Sequence, residues 1–165
     1  MPINALDQID GTILKELQRD GRQTNVTLAD RIGLSPTPCH RRVRRLEADG
    51  FIEGYGALLN RRKVGLGLTA FVSIGIGAHN DENAAAFEAA IQRCPEVVAC
   101  HVVTGDADFL LEVVAPDLET YSNFVLNTLL KLPGVNDVRS SFSMKAVKTP
   151  SVLPVELALG PRSAP

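Results

Sequence analysis

Arg41, Arg42, Arg44 and Arg45 crowd together directly after "SPTPCH" at positions 35–40. Each is a permanent cation that can grip a phosphate or pair two-pronged with the edge of a guanine. A second group lies in "TGDAD", where Gly105, Asp106 and Asp108 place two carboxylates in one turn. Ionised carboxylates there can accept hydrogen bonds from a ligand's ammonium group. His79 and His101 stand alone, and Cys39, Cys94 and Cys100 show no CxxC spacing. Cys39 and His40 point about 100° apart on a helix and do not share an ion easily, so no metal is expected. No Ser/His/Asp set, phosphate loop or HExxH pattern occurs. The paired aspartates have neither nucleophile nor metal beside them. No catalytic residue and no cofactor is therefore nominated.

The arginines need an element to aim them. Leu6, Ile9, Ile13, Leu14 and Leu17 recur at spacings of three and four, which predicts a helix from Leu6 to Asp20 ended by Gly21. A short helix follows over Asn25–Ile32, capped by Thr24 or Asn25 and stopped by Gly33. A third starts at Ser35. Pro36 falls at its first position and Pro38 at its third, where a missing N–H costs little. The prolines thus begin this helix, which runs to about Asp49. On a helical wheel Cys39, Val43 and Leu46 face inward. Thr37, Arg41 and Arg45 point outward, with His40 and Arg44 on one flank and Arg42 on the other. Three such helices match helix-turn-helix geometry, whose last helix enters the major groove N-terminus first. Ser35, Pro36, Thr37, Pro38, His40 and the four arginines are the expected DNA-facing residues. The helix N-terminus itself would offer N–H groups to a phosphate. A solvated charge face is the plain alternative.

Beyond Phe51–Leu58, read as extended, the basic "RRKVGLG" looks like a hinge. The period then changes from 3.6 to 2. Strands are expected at Leu68–Ile76, Val97–Val103, Phe109–Val114 and Val135–Val147, and helices at Asp81–Cys94 and Asp117–Leu132. This β-α-β-β-α-β order is the ferredoxin-like arrangement, with both helices on one face of an antiparallel sheet. The fold class is α+β: an N-terminal all-α helix-turn-helix domain over 1–52, a linker over 53–67, the sheet domain over 68–148 and a weakly structured tail over 149–165. "VLPVELAL" in that tail could add an edge strand. Phe71, Val97, Val103, Leu110 and Val114 make the open sheet face apolar, which predicts dimers or larger assemblies.

Composition sets the outer limits. The chain is 45% hydrophobic and 22% charged, the balance of a globular protein rather than a disordered one. Net charge is −2, so only the local placement of the arginines points to nucleic acid. The absence of Trp removes large stacking platforms for bases. An odd set of cysteines argues against a disulfide framework, and no apolar run suits a membrane span, so a cytoplasmic location is expected.

"LDQIDGTILKELQRDGR", "LADRIGLSPTPCHRRVRRLEADGFIEGYGALLN", "GDADFLL" and "LPGVNDVRSSF" occur in that order. Together they resemble the Lrp/AsnC family of bacterial and archaeal transcription regulators, over about Leu6 to Lys148. The resemblance implies a winged helix-turn-helix domain, a C-terminal RAM domain, and dimers that assemble into octamers or similar discs. It also implies an amino acid or related small effector as ligand. By the same resemblance the Gly105–Asp106–Asp108 turn lines an effector site between neighbouring dimers, with Ser140, Ser141 and Phe142 near it and Leu118 at its edge. The ordinary alternative for the turn is a plain hairpin, since Gly and Asp favour turns anyway. For the whole chain the alternative is a small-molecule-binding or catalytic ferredoxin-like protein without specific DNA binding.

Overall fold

The computed structural model describes residues 6–77, 81–148 and 152–159. His79, Pro150, Pro161 and Pro165 lie outside them. The chain forms two compact units, divided at Leu58/Leu59 and again at Val147/Lys148, so the C-terminal segment belongs with the N-terminal unit.

The first unit holds α1 (Gln8–Arg19), α2 (Asn25–Ile32) and α3 (Pro36–Ala48). Asp7 opens α1 with a capping box: its carboxylate accepts from the Asp10 N–H, and the Asp10 carboxylate accepts from the Asp7 N–H. Thr24 caps α2 by accepting from the Thr27 N–H at 3.1 Å. Gly33 ends that helix at φ +71°, the left-handed turn that glycine tolerates and that redirects the chain into α3. Ile13, Leu28, Ala29, Cys39 and Leu46 form a closed core, with Val43 packed on it. The segment after α3, residues 52–60, forms no helix or strand. Within it Tyr55 lies against Gly21 and donates its hydroxyl to Glu47 at 3.0 Å.

The C-terminal segment departs from the sequence expectation. "VLPVELAL" is not an edge strand. Val155–Leu157 make a single 3-10 turn on the helical unit, and Val155 joins its core. Pro154 explains the difference, because it cannot donate to a strand ladder.

The second unit contains β1 (Leu68–Ile76), α4 (Asp81–Ile91), β2 (Val97–Val102), β3 (Phe109–Ala115), α5 (Leu118–Asn127) and β4 (Val135–Phe142). The sheet order is β2-β3-β1-β4 and every pairing is antiparallel. Ala70, Val72 and Ile74 of β1 alternate inward and meet Leu111, Val113, Phe87, Phe124 and Leu129. The Phe87 and Phe109 rings are 4.6 Å apart.

Four sequence expectations are corrected in this unit. The register shifts between Val97 and Ala99, and this bulge turns Val97 onto the helix-covered face instead of the open one. α5 stops at Asn127, and Leu129–Lys131 continue as a 3-10 turn. Pro133 forces Leu132 out of helical geometry, so the last turn tightens. Leu118 is exposed on the first turn of α5. β4 ends at Phe142, so Met144 and Val147 lie beyond the ladder. The open face is also less apolar than expected. Phe71 is half exposed, but Glu112, Arg139 and Ser141 share that side, and Arg61 pairs with Glu112 at 2.6 Å.

The core account separates two substitutions of this unit. Phe87→Ala removes a fully buried ring and is expected to cost about 3–5 kcal/mol. Val102→Ala, on an exposed edge position, should stay within about 0.5 kcal/mol. Urea denaturation followed by circular dichroism checks both.

Candidate nucleic-acid interface and effector residues

α3 is the basic element, and its geometry sorts the arginines into two kinds. Asp10 of α1 is completely buried. Its Oδ1 accepts from Arg42 Nη1 at 2.8 Å, and its Oδ2 accepts from Arg45 Nη2 and from the Asp7 N–H. The same Arg42 nitrogen donates to Asp7 Oδ2 at 2.6 Å. Burial tends to raise the Asp7 carboxyl, but the Asp10 N–H and the Arg42 guanidinium outweigh it and hold it below its ordinary range. The bonds to Asp7 and Asp10 push Arg42 further up from its usual value. Arg42 and Arg45 are therefore the clamp that fixes α3 against α1.

Arg45 is exposed, as its outward position predicts, but its guanidinium also reaches back to Asp10. A wheel shows the direction of the Cα–Cβ bond but not the reach of a long side chain toward a buried carboxylate. Thr37, His40, Arg41 and Arg44 stand exposed on α3, with Pro38 half-buried beside them. Ser35 occupies the cap position without a side-chain cap bond. Asn25 Nδ2 donates to the Pro36 carbonyl at 2.7 Å and pins the start of α3. The expected N-terminal anion site is narrower than first read. Pro36 and Pro38 have no N–H, and the Cys39 N–H donates to the Ser35 carbonyl at 3.3 Å. The Thr37 N–H is the backbone donor left in that turn.

The expected effector residues fall into two groups. Gly105 is in the turn before β3 at φ +113°, with open space around the position of a Cβ. Asp106 is exposed. Asp108 closes the turn: Oδ2 accepts from the Ile76 N–H at 2.7 Å, and its own N–H donates to the Ile74 carbonyl. One Asp108 oxygen is thus spent on the irregular end of β1, where its register with β4 shifts.

Ser140 and Phe142 gather elsewhere, around Tyr121, and Leu118 begins the helix that carries it. The Tyr121 and Ser140 hydroxyls are hydrogen-bonded, and the Tyr121 and Phe142 rings meet edge-on at 5.1 Å. Burial raises the Tyr121 phenol, an effect the Ser140 bond opposes. Ser141 lies on the opposite sheet face, paired with Phe71. Asp108 precedes β3 and Leu118 follows it. A strand of 7 residues puts about 20 Å between its ends. Within a single chain the two groups therefore stay apart, which the expectation of a site between neighbouring dimers already allows. Tyr121 was missed as a site residue because the period placed it in the core. Its hydroxyl was the available signal, since a buried phenol needs a partner.

A three-helix unit with a clamped basic helix, beside a βαββαβ sheet unit, defines a DNA-binding transcriptional regulator with a ligand-binding domain. Residues 69–153 match the Lrp/AsnC ligand binding domain, and residues 6–53 match a winged helix-turn-helix DNA-binding family. The chain belongs to the Lrp/AsnC family. It is 49% identical over 147 residues to the leucine-responsive regulatory protein of Salmonella typhimurium, covering 89% of this chain and 90% of the relative. The protein of that name from Escherichia coli K12 is 48% identical over the same span. Among solved structures, a Neisseria meningitidis transcriptional regulator in complex with L-Met aligns with TM-score 0.90 and 42% identity, over 94% of this chain and 100% of that one. An AsnC family regulator from Agrobacterium tumefaciens aligns with TM-score 0.87 and 38% identity, over 92% and 99%. These relatives are regulators, and the chain is a regulator rather than an enzyme. The ferredoxin-like alternative without DNA binding falls with the helix-turn-helix match. Among the described residues, no helix is long and apolar enough to cross a membrane.

The clamp generates two expectations. Asp10→Ala leaves two guanidinium groups facing a vacated carboxylate site and should destabilise the helical unit by about 3–5 kcal/mol. Asp7, half exposed, should matter less. Because the folded-state value of Asp7 is depressed, its contribution is present above its unfolded value of about 3.9 and is lost as pH falls through the folded one. Thermal melts between pH 6 and 3 should show that loss, and Asp7→Asn should flatten it.

Proposed function

We propose that this protein is a cytoplasmic, sequence-specific regulator of amino-acid metabolism genes whose DNA binding responds to an amino acid held between subunits. The observation that carries the reading is the division of the effector residues across the two ends of β3. Gly105, Asp106 and Asp108 of one copy would complete a pocket with Leu118, Ser140 and Phe142 of another, while Ser141 faces the other side of the sheet. That demand favours homodimers assembling into an octamer or similar ring. The Neisseria relative solved with L-Met supports an amino acid as the ligand class. In this pocket the exposed Asp106 and the unspent oxygen of Asp108 would take the ammonium group. Hydroxyls and the Phe142 ring would take the remainder.

On the DNA side Arg41 and Arg44 carry the free charge, with His40 and Thr37 beside them. Arg42 and Arg45 act indirectly, by fixing the angle at which α3 is offered. Specificity would come from the free pair, since bidentate contact with guanine needs an unengaged guanidinium.

Two measurements test this reading. Arg41→Ala or Arg44→Ala should reduce the slope of log affinity against log salt by about 1, with the fold intact. Arg42→Ala should lower thermal stability first. Equal salt slopes in all three variants would sink the division. For the effector, calorimetry with L-methionine and L-leucine should show binding lost in Asp106→Ala and in Phe142→Ala alone. Mixing the two variants should restore part of it, because some interfaces then pair two unaltered halves. No recovery in the mixture would defeat the two-copy site.

A further inference from the structure

The C-terminal segment carries an observation that DNA reading and effector binding leave unused. Gln18 of α1 holds Leu153 by both backbone groups: the Leu153 N–H donates to Gln18 Oε1 at 2.6 Å, and Gln18 Nε2 donates to the Leu153 carbonyl at 3.3 Å. Lys15 reaches Glu156 at 3.6 Å. The backbone N–H of Glu156 holds its carboxylate below the ordinary value, and the charge of Lys15 adds to that. Val155 packs into the helical core. Leu159 lies over Gly11, where a Cβ would collide with the leucine Cδ1. A glycine inside a helix costs about 1 kcal/mol relative to alanine, and here its missing side chain is the seat for Leu159. Gly11, Lys15 and Gln18 lie at spacings of four and three, so one stripe of α1 receives the whole segment.

We infer that Val152–Leu159 is a docking strap seated on the Gly11–Lys15–Gln18 stripe of α1, and that it gives the DNA-binding unit a second covalent tether to the sheet unit. The chain leaves the helical unit after Leu58, passes through the whole sheet unit, and returns after Val147. A unit held by one flexible linker samples many orientations. A unit held by two samples few, and paired half-sites reward that restriction through effective concentration. β4, which carries Ser140–Phe142, runs directly into the strap in the chain order. The bonds of the strap are exposed and few, so it can leave its stripe without unfolding the helices.

The experiment uses the full chain, Val155→Asp, Gln18→Ala and a chain ending at Lys148, each with a duplex bearing one half-site and a duplex bearing two. This comparison rests on the dimeric, DNA-binding reading above. The strap predicts an unchanged one-site affinity. It also predicts a loss of about tenfold or more on the two-site duplex, with weaker dependence on half-site spacing. Equal losses on both duplexes would make the segment a plain stability element and overturn the proposal, as would no loss on either. Hydrogen exchange judges the strap separately. The Leu153 amide should be protected in the wild-type chain and lose protection in Gln18→Ala. Rapid exchange of that amide in the wild-type chain overturns the docked strap even where the dimeric reading stands. Equal wild-type affinity for both duplexes defeats the dimeric reading, and the exchange result then still decides the strap.

Discussion

The buried carboxylate of Asp10 is the constraint on which the DNA-binding unit depends. It lies with no exposed surface between two guanidinium groups and a backbone N–H. An isolated charge in that position would carry a desolvation cost of several kcal/mol, so its partners must be held in place. That requirement runs both ways. Arg42 and Arg45 are drawn back onto α1, and the angle of α3 is set by the bonds they make. Thr37, His40, Arg41 and Arg44 stay exposed without a part in this clamp. A helix that looks uniformly basic is thus divided between arginines that bond Asp10 and arginines that do not.

The sheet imposes a different constraint on the ligand side. A hairpin turn and the helix that follows the next strand are kept apart by the length of that strand, whatever their side chains. Asp108 reinforces the separation by closing its own end of the sheet on Ile76. Tyr121 organises the other end through Ser140 and Phe142. Each end has its own set of bonds, and the geometry of one sheet keeps the two sets apart. The proposed effector site joins them only through a second copy.

The C-terminal strap adds a path between these two constraints that does not pass through the linker after Leu58. It engages α1, the helix that supplies Asp10, on the stripe begun by Gly11, the residue next to Asp10. The clamp on α3 and the seat of the strap therefore share one helix. Whatever moves the strap acts on the helix that supplies the clamp on α3.

Much of this was legible in the chain itself. Periods of 3.6 and 2 placed the helices and strands, because burial of one face repeats with backbone geometry. Ser35, Pro36 and Pro38 announced the start of α3, since proline and first-turn donors obey local rules. Cys39, Val43 and Leu46 were correctly read as its inner face. What local rules do not contain is where a long side chain finds its partner. The Arg42 and Arg45 pairing with Asp10 crosses more than thirty positions, and the Gln18–Leu153 pairing crosses 135. The bulge that turned Val97 inward and the distance between Asp108 and Leu118 likewise depend on strand register. The sequence by itself determined the elements, their faces and the family. Only the tertiary structure decided which arginines remain free and which aspartate oxygen is spent, because those outcomes follow from competition for partners among groups far apart in the chain.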